Sequence, residues 1–198
     1  MGGSILFLSC GKRHGNTWQA ARVAAEAADK AGARSMLVEA TRLSGLGRGC
    51  IGCMKCQKSA EFGCVLGDEV ADLLLEMPKY DMIVFCVPVY FFSYSTQAKG
   101  IIDRLMGMIK YDGEKFQSPL DGKRFALLVT SGGNESDSGV KALRMSYRYL
   151  VDYFHGKLCG ELYFPDCDAH GGGLEIDIDM PSAARQFGRQ LAAHVSKQ

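Results

Sequence analysis

The chain has 198 residues, 47% of them apolar, and Lys plus Arg exceed Asp plus Glu by one. That is enough apolar material for one well-filled core, and with no break in composition a single domain over residues 1–198 is expected. So balanced a charge argues against a nucleic-acid binder or a membrane-surface protein and points to a small partner.

The first ten residues, MGGSILFLSC, hold an apolar run shorter than the core of a secretion signal, with no cationic region or small-residue cleavage site. No stretch approaches the roughly eighteen apolar residues of a membrane span. A soluble, cytoplasmic protein is therefore expected. In that reducing setting its eight cysteines read as metal or redox chemistry rather than disulfides.

In chain order, SILFLSC is a short apolar run ending in a glycine-containing turn, and NTWQAARVAAEAADKAG carries small apolar residues at helical spacing until Gly32 stops it. SMLVEA, DMIVFCV, RFALLVTS and KLCGELYF are further short apolar runs, the pattern of strands buried on both faces of a parallel sheet. Between them VADLLLEM, QAKGIIDRLMGMI and GVKALRMSYRYLVDYF have helical period. PSAARQFGRQLAAHVSKQ closes the chain as an amphipathic helix with Pro181 near its start. Five strands alternating with five helices predict an α/β fold with a doubly wound parallel sheet covered on both faces. In such folds the binding crevice lies beyond the carboxyl ends of the strands. Two loops are long, residues 41–67, inserted before the second helix, and residues 165–180.

The loop after the first strand, GKRHGNTW, runs straight into a helix. Gly11 and Gly15 permit turns, Asn16 and Thr17 bring hydrogen-bonding groups, and Lys12 and Arg13 bring charge, an arrangement suited to a phosphate or equally to a capped helix with two solvated cations. It is neither a Walker A loop nor GxGxxG, and the GLGRG at residues 45–49 lies at no strand-to-helix turn. After the third strand Pro88 breaks into Tyr90, Phe91, Phe92 and Tyr94, residues that suit a flat slot for a heteroaromatic ring or else core or dimer contacts. The fourth strand leads into TSGGNESDSG, whose Ser131, Gly132, Gly133 and Asn134 let backbone approach a ligand closely.

Three segments together, SILFLSCGKRHGNT, CIGCMKCQKSAEFGCVLGDEV and PVYFFSYSTQAKGIIDR, resemble the flavodoxin-like NADPH-dependent FMN reductase family, in particular its iron-sulfur flavoprotein branch. The resemblance implies that Cys10, Lys12, Gly15, Asn16 and Thr17 surround the FMN phosphate. It places Pro88, Val89, Tyr90 and Phe91 along the isoalloxazine ring, with Ser131, Gly132 and Gly133 on the other side. Where the family commonly has serine and then arginine, this chain has Cys10 and Lys12, a poorer donor and a point charge in place of a fork.

Cys50, Cys53, Cys56 and Cys64 are spaced C-x2-C-x2-C-x7-C, which lets thiolates converge on one centre. The resemblance implies a [4Fe-4S] cluster there; zinc suits four thiolates equally, and a loop that only frames the flavin is the third reading. Cys86 and Cys159 read as small buried residues within strands, His14 as solvent-facing, and Cys167 with Asp166, Asp168 and His170 as part of a polar surface loop.

The function expected is an FMN-dependent oxidoreductase that takes electrons from NAD(P)H and passes them to a small-molecule, flavin, quinone or protein acceptor. No side-chain acid or base is required, and the nicotinamide is expected to stack near Tyr90 or Phe92. The alternatives are a non-enzymatic electron carrier docking with redox proteins, and a flavin-free, zinc-stapled binding domain. A homodimer or homotetramer is expected, since flavin sites of proteins resembling this one are completed by a neighbouring subunit.

Overall fold

A computed structural model describes residues 2–167 and 179–196. The strands are β1 (Ser4–Ser9), β2 (Arg34–Glu39), β3 (Met82–Tyr90), β4 (Ser93–Tyr94), β5 (Lys110–Asp112), β6 (Lys115–Gln117), β7 (Arg124–Thr130) and β8 (Lys157–Phe164). The helices are α1 (Asn16–Lys30), α2 (Lys55–Lys58), α3 (Glu69–Glu76), α4 (Thr96–Arg104), α5 (Val140–Tyr153) and α6 (Met180–Val195).

Five strands pair in the order β2-β1-β3-β7-β8, every pair parallel, which is the flavodoxin-like winding. Strand alternation divides the core in two. Ile5 and Phe7 of β1, with Met82, Val84 and Cys86 of β3, pack under α1 and α6, while Leu6, Leu8 and Cys10, with Ile83, Phe85 and Val87, pack under α3, α4 and α5. In the first layer α1 and α6 meet through small residues. At Gly188 of α6 an added Cβ would lie 2.1 Å from the carbonyl oxygen of Ala24 in α1.

The five expected strands are the five parallel ones. Three details differ from expectation. The long cysteine loop carries α2 and a short turn at Leu46–Arg48, so it is partly built. The helix expected to run to residue 109 leaves α-helical geometry after Arg104, because Gly107 must meet the loop: Gly63 N–H donates to its carbonyl at 2.7 Å, and a Cβ on Gly107 would fall 2.6 Å from Gly63 O. A small antiparallel hairpin, β5 with β6, turns at Gly113, whose φ of +61° favours glycine. Of the long loop at 165–180, residues 168–178 lie outside the described residues, Asp168 and His170 among them. Among the described residues no helix is long and apolar enough to cross a membrane.

Candidate functional site

The carboxyl ends of β1, β3 and β7 bring three loops side by side. The first, residues 10–17, opens α1 at Gly15 with no side-chain cap, so the N–H groups of the first helical turn point outward unshared with any side chain. Lys12 stands exposed beside them, and Arg13 leans back to Glu39 at 3.3 Å. Glycine is required at position 11 by proximity, since a Cβ there would come within 2.9 Å of Thr17 Cβ and 3.4 Å of Pro88 Cγ. Two expected ligand groups face elsewhere. Cys10 is fully buried, and its thiol donates to Leu8 O at 3.5 Å within the core, where burial pushes its pKa far up. Thr17 is buried too, its hydroxyl 2.7 Å from that of Thr130, which ties the start of α1 to the end of β7. Of Cys10, only the backbone borders the loop; its carbonyl accepts from Ser95 Oγ at 2.8 Å, joining the loop to the start of α4.

The second loop follows β3 as a two-residue hairpin, with Val89 opposite Tyr94 and Tyr90 opposite Ser93. Both tip residues, Phe91 and Phe92, hold left-handed backbone at φ +47° and +69°, positions that glycine or asparagine ordinarily fill. Phe91 is 95% exposed, Phe92 60% and Tyr90 50%. Gly139 underlies the tip, where a Cβ would lie 2.5 Å from Phe92 O. Tyr94 is buried and its hydroxyl donates to Leu143 O at 3.1 Å, fixing the hairpin to α5.

The third loop, residues 131–138, faces the hairpin across an open cavity of about 430 Å³ bordered by Val89, Phe91, Phe92, Ser131, Gly132 and Gly133. Ser131 is turned inward, its hydroxyl bonded to Gly133 O at 2.5 Å and lying 2.6 Å from the Tyr163 hydroxyl. Tyr163 also donates to Gly133 O at 3.1 Å and sits 3.2 Å from Ser138 Oγ, a hub that the sequence reading missed. Tyr163 reads in sequence as one strand residue among others; only the pairing of β8 with β7 sets it beneath this loop. Ser9 was missed as well. It shares the α1 face of β1, and its buried hydroxyl has no partner among the described residues.

The remaining single cysteines differ in part from expectation. Cys86 is fully buried, and burial first, then the neighbouring Cys10, raises its pKa. Cys159 is only half-buried. Cys167, expected on a polar surface loop, is buried, and its N–H donates to Ser131 O at 2.7 Å. His14 is exposed as expected, with its ring edge-on to Trp18 at 4.7 Å.

Cys50, Cys53, Cys56 and Cys64 do come together, lining one cavity with Arg104, Met106 and Gly107. Cys50 and Cys53 are exposed, Cys56 and Cys64 half-buried. The cavity measures about 30 Å³, the room of a single water. Among the described residues no three Cys, His, Asp or Glu side chains are grouped so as to hold a metal ion. As placed, the four thiols fit neither the cluster nor zinc. Gln57 pins the segment, its amide donating to Met106 O at 2.8 Å and Ile109 O at 3.0 Å, and Lys110 reaches the carbonyls of Cys56 and Ser59.

A family model described as NADPH-dependent FMN reductase matches residues 4–157. No curated protein matches the sequence. Among solved structures, an NAD(P)H:quinone oxidoreductase from Methanothermobacter marburgensis superposes with a TM-score of 0.70 at 18% identity, over 96% of this chain and 100% of that one. An azoreductase from Bacillus anthracis str. Sterne gives 0.70 at 13% identity, over 97% and 99% of the two chains. A flavone reductase gives 0.66 at 18% identity; the match covers 98% of this chain and 63% of that protein. At such identities the structural likeness is one of fold. The family match, extending from the first strand to the start of the last, is what decides kinship: the chain belongs to the NADPH-dependent FMN reductase family, a family of FMN-dependent oxidoreductases.

Proposed function

We propose that the cleft formed by residues 10–17, 88–95 and 131–138 binds FMN, and that the protein is an NAD(P)H-dependent reductase of a small-molecule, quinone, flavin or protein acceptor. The observation that carries this reading is the uncapped start of α1 at Gly15, with exposed Lys12 beside it, in a loop that adjoins Pro88 and Thr130 at the bases of the two loops edging an aromatic slot. A phosphate wants free N–H donors and positive charge, and a ring system wants a flat apolar border.

In this reading Lys12 and the N–H groups of Asn16 and Thr17 hold the phosphate, while the Gly15 N–H closes the loop on Lys12 O at 2.9 Å. Gly11 lets the chain turn tightly enough to present them. Pro88, Val89, Tyr90 and Phe91 border one edge of the ring, and Ser131, Gly132 and Gly133 the other, with Tyr163 keeping that loop in place. FMN held there supplies the two-electron chemistry between NAD(P)H and acceptor. The side chains bind, orient and shield; none is required as acid or base. The exposed tip of Phe91 and Phe92 supports a homo-oligomer in which a neighbouring copy covers this face. An iron-sulfur relay is not included, because among the described residues no three Cys, His, Asp or Glu side chains are grouped so as to hold a metal ion.

The test is an anaerobic titration of the purified protein with FMN and with riboflavin, followed by NADH or NADPH. Tight FMN binding, weaker riboflavin binding and rapid bleaching by a nicotinamide are expected. Bleaching only by a reduced ferredoxin would replace the enzyme with an electron carrier, and no binding of either flavin would remove the cleft as a flavin site.

A further inference from the structure

The cysteine cavity holds a feature that neither metal ligation nor packing explains. Arg104 is buried to 1% exposure, and its two terminal nitrogens bond Asp68, yet its Nε has no partner among the described residues. The same guanidinium borders the cavity with the Cys64 sulfur, a weak acceptor, as its neighbour on that side. An unpartnered buried donor is costly, so an acceptor in this cavity would be stabilised there. The surroundings are basic and partly open: Lys55 and Lys58 flank Cys56, Lys110 grips its carbonyl, and Cys50 and Cys53 reach solvent. Reactive thiols sit in such electropositive, partly exposed settings.

We propose that this cavity is a thiol–disulfide site for hydroperoxides, in which Cys64 is oxidised and one of Cys50, Cys53 and Cys56 resolves it. The Cys64 sulfur attacks the peroxide, the O–O bond breaks, and an alcohol (water, for hydrogen peroxide) leaves with the thiol proton. Cys64 then carries a sulfenic acid whose oxygen accepts from Arg104 Nε. A second cavity thiol attacks the sulfenic sulfur, the S–S bond forms, and water leaves. Two thiols have lost two electrons and one peroxide has gained them. The cavity favours this outcome, since all four cysteines line it while no three of them are grouped so as to hold a metal ion. The site is separate from the flavin cleft and operates whether or not that cleft holds FMN.

The experiment adds one molar equivalent of hydrogen peroxide to the purified protein under argon, then counts free thiols and maps cross-linked peptides. Two of the eight thiols should disappear, Cys64 should be found joined to Cys50, Cys53 or Cys56, and dithiothreitol should restore both. Cys64→Ser should abolish the fast thiol loss, while Cys159→Ser, outside the cavity, should leave it unchanged. Oxidation of Cys64→Ser at the rate of the unmodified protein would overturn the proposal. So would a disulfide that excludes Cys64, or stoichiometric iron or zinc held by these thiols in anaerobically purified protein.

Discussion

Arg104 and Asp68 form a two-pronged ion pair, Nη2 donating to Oδ1 at 2.7 Å and Nη1 to Oδ2 at 3.1 Å, with the arginine side chain wholly out of solvent. Asp68 is also the N-cap of α3, accepting from Ala71 N–H at 3.1 Å, so a single carboxylate joins the end of α4 to the start of α3 beside the cysteine loop. Removing one member of a buried pair strands the other charge. Asp68→Ala should therefore cost about 3–5 kcal/mol in urea unfolding, whereas Asp68→Asn, which keeps a capping oxygen, should cost less.

The same carboxylate sets an acid limit. Its partial burial opposes ionisation, but the bonds from Arg104 and Ala71 outweigh this and hold its pKa below the usual carboxylate value. For Asp81 the N–H and hydroxyl of Ser4 do the same. A lowered folded-state pKa gives stability that is fully present above the unfolded value, about 3.9 for aspartate, and is lost as pH falls through the folded one. Melting temperature should be flat near neutrality and drop below about pH 4, with a shallower drop in Asp68→Asn.

Lys12 is the exposed cation beside the uncapped start of α1. Lys12→Ala should weaken FMN binding by roughly tenfold, the scale of one charge-assisted hydrogen bond, and leave riboflavin binding unchanged. Equal losses for both flavins, read by fluorescence quenching, would place Lys12 away from the phosphate.

Phe91 pays for a left-handed backbone with almost nothing buried in return. Relief of that strain is worth about 1–2 kcal/mol, against about 0.5–1 kcal/mol for the added freedom of glycine in the unfolded chain. Phe91→Gly should thus stabilise the fold by roughly 0.5 kcal/mol and lower turnover with aromatic acceptors, which steady-state kinetics would register.

Tyr163 contacts Ser131, Gly133 and Ser138 through one hydroxyl. Tyr163→Phe should cost about 1 kcal/mol in thermal unfolding. Flavin affinity should fall beyond what that loss explains, because the loop bordering the ring is released; affinity that stays constant would confine Tyr163 to a structural role.

Much of this was legible in one dimension. Apolar runs marked β1, β3, β7 and β8, and the alanine period of α1 marked a helix that packs closely. Even the burial of Cys10 was within reach, since it continues the alternation of Leu6 and Leu8 toward α3, α4 and α5. The Asp-Gly step at residues 112–113 announced the β5–β6 hairpin that went unread.

By itself the sequence determined which segments are strands and helices, that glycines and cations follow β1, and that four cysteines crowd one loop. Those are properties of neighbouring residues, repeated at a period of 2 or 3.6, and the chain carries them locally. Only the tertiary structure decided that Thr17 bonds Thr130, that Tyr163 supports Ser131, and that Arg104 lies between Asp68 and Cys64. Each of these joins polar groups distant in sequence, and the partner of a buried polar group is set by which surfaces the winding of the sheet brings together.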